Sequence, residues 1–223
     1  MDSKKIQKVI AESGYCSRRK AEELVKESKV RVNNRTAKTG ERVREEDEIT
    51  IEGKKINSRK RLIYILLNKP KGYSCTRKKI RGERNVFDLI NLDEHLFIAG
   101  RLDKDSHGLL LLTNDGNFAY RIMHPSFESE KEYLVKVRKD ITKEEELEMK
   151  KGVDIGEKEK VSVKEIKRIE NKRYNLILCS GKRRQIRRMF ERFNSTVDDL
   201  QRIRIDKYNL GRLKKGEWIF IKK

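Results

Sequence analysis

The sequence predicts an α+β chain built in two parts, and three observations carry that expectation. Residues 3 to 34 hold two helix-spaced apolar patterns followed by a short strand-like run. A polar, basic stretch, GKKINSRKR at 53 to 61, then breaks the pattern as a linker does. Beyond it, strand-like apolar runs alternate with helical patterns as far as residue 221. The expected domains are residues 1 to 58 and 62 to 223.

The chain has 223 residues, enough for a real hydrophobic core. Only 35% of them are hydrophobic and 41% are charged, with a formal net charge of +20. Catalysis on a neutral small molecule has no need of such a field. Polyanions respond to it, and the usual polyanions are nucleic acid or a membrane surface. No apolar run approaches the roughly 18 residues of a spanning helix. The opening MDSKKIQKVI also lacks the apolar region of a signal peptide. A soluble, cytoplasmic, monomeric protein without a membrane partner is expected. Cys16, Cys75 and Cys179 are widely spaced, odd in number and form no CxxC. That argues against a disulfide framework or a zinc site, and no metal is expected.

In chain order, Ile6, Val9 and Ile10 fall at helical spacing, and Ser13-Gly14 ends the pattern. Ser17 can cap a second helix, in which Ala21, Leu24 and Val25 form the apolar stripe. Arg18, Arg19, Lys20 and Lys26 lie off that stripe. VRVN at 30 to 33 and EITIE at 48 to 52 read as strands. Leu62 to Leu67 reads as a buried strand broken by Asn68-Lys69-Pro70-Lys71-Gly72. From Asn68 to Asn85 seven basic residues, Lys69, Lys71, Lys78 and Lys79 among them, face one acid, Glu83. In so basic a chain this loop is expected to grip RNA.

Next comes GRLDKDSHGLLLLTNDG, residues 100 to 116. Its four leucines suit a strand buried on both faces, and Asn114-Asp115-Gly116 supplies a turn. Charged groups on a loop feeding a buried strand are rigidly held, as a catalytic carboxylate must be. The ordinary reading of Arg101 and Asp103 is a surface ion pair. Residues 117 to 124 read as a short helix and 132 to 137 as an alternating strand. Thr142 with Glu145 makes a capping box opening a helix that ends at Gly152. VSVKEI at 161 to 166 and YNLILC at 174 to 179 look like strands. Ile186, Met189, Phe190 and Phe193 line one helix face, with Arg183, Arg184, Arg187, Arg188 and Arg192 around it as an anion site. Residues 200 to 221 read as two strands with a glycine turn.

GYCSRRKAEELVKESKVRVNN at 14 to 34 resembles the S-four-like RNA-binding fold, the αL motif of a small-subunit ribosomal protein. That resemblance implies that Arg18, Arg19 and Lys20 approach a phosphate backbone. Lys-Pro-Lys-Gly at 69 to 72, GRLDKDSHGLLLLTNDG, Lys131-Glu132-Tyr133 and GKRRQIRRM at 181 to 189 resemble the successive motifs of RNA pseudouridine synthases. With the N-terminal module, the chain is similar to the branch that modifies ribosomal RNA. The resemblance implies a mixed, mostly antiparallel sheet flanked by helices. It also implies a reaction in which uridine's bond from sugar to nitrogen 1 breaks and carbon 5 takes its place. Atoms are conserved, so no cofactor is expected.

Within that resemblance Asp103 is the nucleophile, which divides one hard step into two. Whether it attacks the sugar or the base stays open. Arg187 is the cation expected to pair with it, since a buried carboxylate without one loses its charge. Arg101 enters the RNA helix where the target base leaves. Tyr133 stacks on the flipped uracil or moves a proton at the sugar. Lys69, Lys71, Arg184 and Arg188 are expected on the RNA. GRLDKDS and the basic loop lean the expected partner toward large-subunit ribosomal RNA. Other readings exist: Asp103, Asp105 and Asp115 as a metal triad or glycosidase pair, and Ser106-His107 as part of a hydrolase triad. A non-catalytic ribosome-assembly RNA binder and a metal-dependent nuclease are the competing functions. The acidic Asp198-Asp199 departs from the basic residue that the resemblance implies there, and puts local RNA contacts in doubt.

Overall fold

A computed structural model describes residues 3–56, 61–77, 80–92 and 94–223. The linker positions 57 to 60, together with Lys78 and Lys79 of the basic loop, lie outside the described residues. The chain forms two compact units. The first comprises residues 1–63 with 92–97 and 114–116, and the second the remainder.

After a short strand, Lys4–Lys5, which pairs with Arg42–Val43, the first unit forms α1 (Ile6–Glu12) and α2 (Arg18–Lys26). Ser17 caps α2 by accepting a hydrogen bond from the Lys20 amide at 3.2 Å. A small sheet follows: β1 (Val30–Val32), β2 (Arg35–Thr36), β3 (Ile49–Ile51) and β4 (Lys54–Lys55), in spatial order β2-β1-β3-β4. Ile6 and Ile10 from α1, and Ala21, Leu24 and Val25 from α2, form one core with Val30, Val32, Ile49 and Ile51. The arginines and lysines of α2 are left on the outer side, as the helical spacing requires.

The second unit is built on a nine-stranded sheet. In chain order its strands are β5 (Tyr64–Lys69), β6 (Phe97–Ala99) and β7 (His107–Thr113). Then, with the helix α3 (Gly116–Met123) intervening, comes β8 (Lys131–Val137). The helix α4 (Lys143–Lys151) precedes β9 (Glu165–Glu170) and β10 (Arg173–Leu178). Last come α5 (Gln185–Glu191), β11 (Val197–Ile205), β12 (Tyr208–Asn209) and β13 (Trp218–Phe220). The spatial order is β9-β10-β8-β11-β7-β5-β13, with β6 on β7 and β12 on β11. Along that path every pairing is antiparallel except β11 with β7, so the sheet is mixed and mostly antiparallel.

Local chemistry explains the elements. Leu109 to Leu112 are fully buried in β7, each worth about 1.5–3 kcal/mol of burial. α4 carries the capping box, Thr142 accepting from Glu145 and Glu145 accepting from the Thr142 amide. Strand β5 begins at Tyr64 and runs through Lys69, because Asn68 and Lys69 still pair with Leu109 and Gly108. Leu62, expected in the buried run, is exposed. VSVKEI is not one strand: Lys160–Val161 bridges Val153–Asp154, and β9 starts afresh at Glu165. Between them the Val163 amide donates to Met149 at the end of α4.

Candidate active site

The loop from Gly100 to Ser106 joins β6 to β7 and carries Asp103. Gly100 holds a φ of +88°, which favours glycine, and Arg202 and Ile122 lie against it. Two buried cations fix the loop through its backbone. At one end Arg202, 1% exposed, donates to Gly100 O at 2.7 Å and to Leu109 O at 2.8 Å. At the other, Lys69 is fully buried and donates to Ser106 O at 2.6 Å and Asp103 O at 3.0 Å. Burial pushes the Lys69 ammonium below the usual lysine range. The Leu102 amide donates to Cys75 Sγ at 3.5 Å, and the Gly72 amide to Lys104 O at 2.8 Å. The acidic loop and the Lys-Pro-Lys-Gly turn are therefore bound together.

Asp103 is half-buried in a cleft of about 600 Å³ lined by Lys71, Gly72, Lys104, Asp105, Arg183 and Arg184. Among the described residues its carboxylate has no ion-pair or hydrogen-bond partner. The expected partner, Arg187, goes elsewhere. Its Nη2 lies 3.0 Å from Asp105 Oδ2 and its Nη1 donates to Val197 O at 2.8 Å. Nη2 also reaches Ser106 Oγ at 3.5 Å. Arg187 is thus buried on the loop that bears Asp103, but the carboxylate it neutralises is Asp105. Local contacts explain this: the Arg187 head is held by Val197 O and Ser106 Oγ, and in that position it meets Asp105. Arg184 also approaches Asp105, at 3.5 Å, and stays exposed on the cleft wall.

Two expectations of RNA contact do not fit. Lys69 cannot reach a phosphate, since its ammonium is spent on carbonyls beneath the loop. Arg188 is committed to the 155–159 segment: it donates to Ile155 O, Gly156 O and Glu159 Oε2 at 2.9–3.0 Å. α5 starts with Gln185, whose side chain takes the Lys182 amide at 3.0 Å and the Ser180 hydroxyl at 2.9 Å. That occupies a donor counted toward an anion site.

Arg101 is exposed beside Asp103. Tyr133 is 8% exposed and pairs across the sheet with Arg202, so the two share a face. One residue therefore links the tyrosine to the loop. In the first unit Arg18 and Arg19 line a cleft of about 510 Å³ with Lys4, Lys5, Lys8 and Arg42. Lys20 does not join them and pairs with Glu23 at 3.1 Å. Sequence reasoning missed Arg202. The available signal was a charged residue sharing the buried phase of β11 with Leu200.

A carboxylate without a partner among the described residues, in a cation-walled cleft, fits an enzyme whose substrate is a polyanion. Comparison with known proteins makes the class definite. The RNA pseudouridylate synthase model matches residues 63–192, and the S4 domain model matches residues 4–49. The chain is 38% identical over 220 residues to ribosomal large subunit pseudouridine synthase B of Bacillus subtilis, covering 96% of this chain and 90% of that one. It is 39% identical over 219 residues to the dual-specificity RNA pseudouridine synthase RluF of Escherichia coli K12, covering 97% and 74% respectively. A solved structure described as a pseudouridylate synthase superposes with a TM-score of 0.72 at 28% identity, covering 98% of this chain and 96% of that one. The chain belongs to the RNA pseudouridylate synthase family, and is an isomerase with an N-terminal S4 domain. No described helix is long and apolar enough to cross a membrane.

Proposed function

We propose that the chain converts a uridine of ribosomal RNA, in the large subunit, to pseudouridine with Asp103 as nucleophile. One observation carries this reading: among the described residues Asp103 is the loop carboxylate left without a partner, whereas Asp105 is paired with Arg187 and Arg184. An unpaired, half-buried carboxylate keeps its lone pairs for bond formation. Arg187 acts on the same loop through Asp105 and Ser106, and so fixes where Asp103 points. The buried Lys69 and Arg202 do the same from the backbone side.

The target base must leave its stack to reach Asp103, at a cost of a few kcal/mol. Arg101, exposed next to the carboxylate, enters the space that the base vacates. Tyr133 meets the extruded uracil from the covered sheet face. Arg18 and Arg19 of the first unit, and Lys71 and Arg184 at the cleft, contact phosphates. The domains of this reading are residues 1 to 58 for RNA grip and 62 to 223 for catalysis. The names of the Bacillus subtilis and Escherichia coli relatives support RNA modification, and the first supports the large subunit. Pseudouridine mapping on total RNA from cells with and without the protein tests the substrate. The reading expects one large-subunit position to lose its pseudouridine. A loss confined to other RNA overturns the assignment.

A further inference from the structure

Asp199 stands out because an acid beside an RNA-binding cleft ought to repel its substrate. Its neighbour Asp198 is a simple surface group, 3.2 Å from exposed Arg138. Asp199 is different. Both its oxygens lie 3.1 Å from His107 Nε2, and Lys71 Nζ is ion-paired with Oδ1. His107 is 5% exposed at the start of β7, three residues beyond Lys104, and opposite Gln201 of β11. Gly108, the next residue, approaches the Arg202 backbone so closely that a Cβ there would lie 2.2 Å from its carbonyl oxygen. The backbones of β7 and β11 therefore approach closely next to His107, whose buried imidazole meets the Asp199 carboxylate through Nε2.

Lys71 has the complementary arrangement. Its backbone belongs to the turn tied to the Asp103 loop through Gly72 and Lys104. Its side chain is about half exposed and lines the cleft that holds Asp103. An ammonium carries three donors, and Asp199 takes one. Burial pushes the Asp199 carboxyl up, but the hydrogen bonds from Lys71 and His107 outweigh it and hold it below the usual carboxylate range. The anion is thus present whenever the cleft works at neutral pH. Isolated surface pairs are worth little, because two mobile chains must be ordered at once. Here one partner is already ordered by a buried histidine, and the rotamer freedom that a free lysine loses on gripping a phosphate is lost beforehand.

We propose that Asp199, itself held by His107, is a positioning residue that presents the Lys71 ammonium at the wall of the Asp103 cleft for contact with an RNA backbone phosphate. The inference rests on the reading that this cleft takes RNA. It makes the acid at 199 part of the grip: the cation comes from the Lys-Pro-Lys-Gly turn and the strand supplies its anchor.

The test is a double-mutant cycle in the full-length chain with Lys71→Ala, Asp199→Ala and the pair. Single-turnover rate, RNA affinity at several salt concentrations and thermal midpoint are read on one ribosomal RNA fragment. Each single variant is expected to lose about tenfold in the ratio of single-turnover rate to Kd, with the pair no worse than either, because both remove one contact. Asp199→Asn keeps an acceptor oxygen for Lys71 and is expected to recover part of the loss. Additive losses would overturn the proposal. So would tighter binding by Asp199→Ala with a steeper salt dependence, the mark of a carboxylate that masks Lys71. If Asp103→Asn abolishes turnover while Asp199→Ala leaves it unmoved, this inference fails alone. If Asp103→Asn retains turnover, it falls together with the reading beneath it.

Discussion

Asp103 and Asp105 sit two residues apart on one loop, yet their surroundings differ. Asp105 is paired with Arg187 and Arg184, while Asp103 has no such partner among the described residues. The motif led to an expected pairing of Arg187 with Asp103; the structure takes Arg187 to the same loop but onto Asp105, a choice the motif could not tell. That choice depends on Val197 and Ser106, which meet Arg187 only in the folded chain. Lys69 was illegible for a related reason. In sequence it is one more charge in a basic run, and its burial depends on carbonyls contributed from residues 103 and 106. The arginines of α5 can now be separated. Arg187→Lys keeps the charge but loses the fork that spans Asp105, Ser106 and Val197. Turnover should fall at least ~10²-fold with affinity within about threefold. Arg188→Lys should act on stability, lowering the thermal midpoint by several degrees with a near-normal rate per folded molecule. Single-turnover rates and melting curves for both variants check this. Equal rate losses in the two would reduce α5 to a generic basic helix.

At the scale of elements, the local signals read well where they were local. The Thr142–Glu145 capping box, the Ser17 cap and the buried leucines of β7 all appear as the residues dictate. The structure departs from the local signals where an element depends on distant partners. β5 was expected to break at Asn68, but pairing with Leu109 and Gly108 carries it through Lys69. The parallel join of β11 to β7 left no local trace, since it brings together residues about 90 apart. Gly108 is its most sensitive point, with a φ of +103° and no room for a side chain against Arg202. Gly108→Ala should cost more than about 3 kcal/mol, because neither the backbone of β11 nor the left-handed φ can give way cheaply. Denaturant unfolding of the two proteins measures it. A loss below about 1 kcal/mol would mean that the strands slide apart without penalty, and that they do not anchor the loop.

For the whole molecule, the net charge of +20 gave the polyanion at once, and the motifs gave the family. Composition could not say which cations are free to meet RNA. Lys69, Arg188 and Arg202 are spent inside the second unit, whereas Arg18, Arg19, Lys71 and Arg184 remain exposed. Deleting residues 1 to 58 removes the Arg18–Arg19 cleft and leaves the Asp103 loop with all its contacts. The truncated chain should still melt cooperatively. It should bind a ribosomal RNA fragment more weakly, with a shallower dependence of log K on log salt, since fewer phosphates are neutralised. An unchanged slope would remove the first unit from the RNA grip.

The most direct measurement compares Asp103→Asn with Asp105→Asn in single-turnover pseudouridine formation on one ribosomal RNA fragment. Each change removes one charge at nearly constant size, two residues apart. The unpaired carboxylate is expected to be indispensable: Asp103→Asn should fall at least ~10³-fold with binding largely kept, as for loss of a covalent catalyst. Asp105→Asn loosens Arg187 but leaves Asp103 in place, and should retain at least about a tenth of the rate. Substantial turnover by Asp103→Asn, or a deeper loss in Asp105→Asn, would contradict the assignment of Asp103.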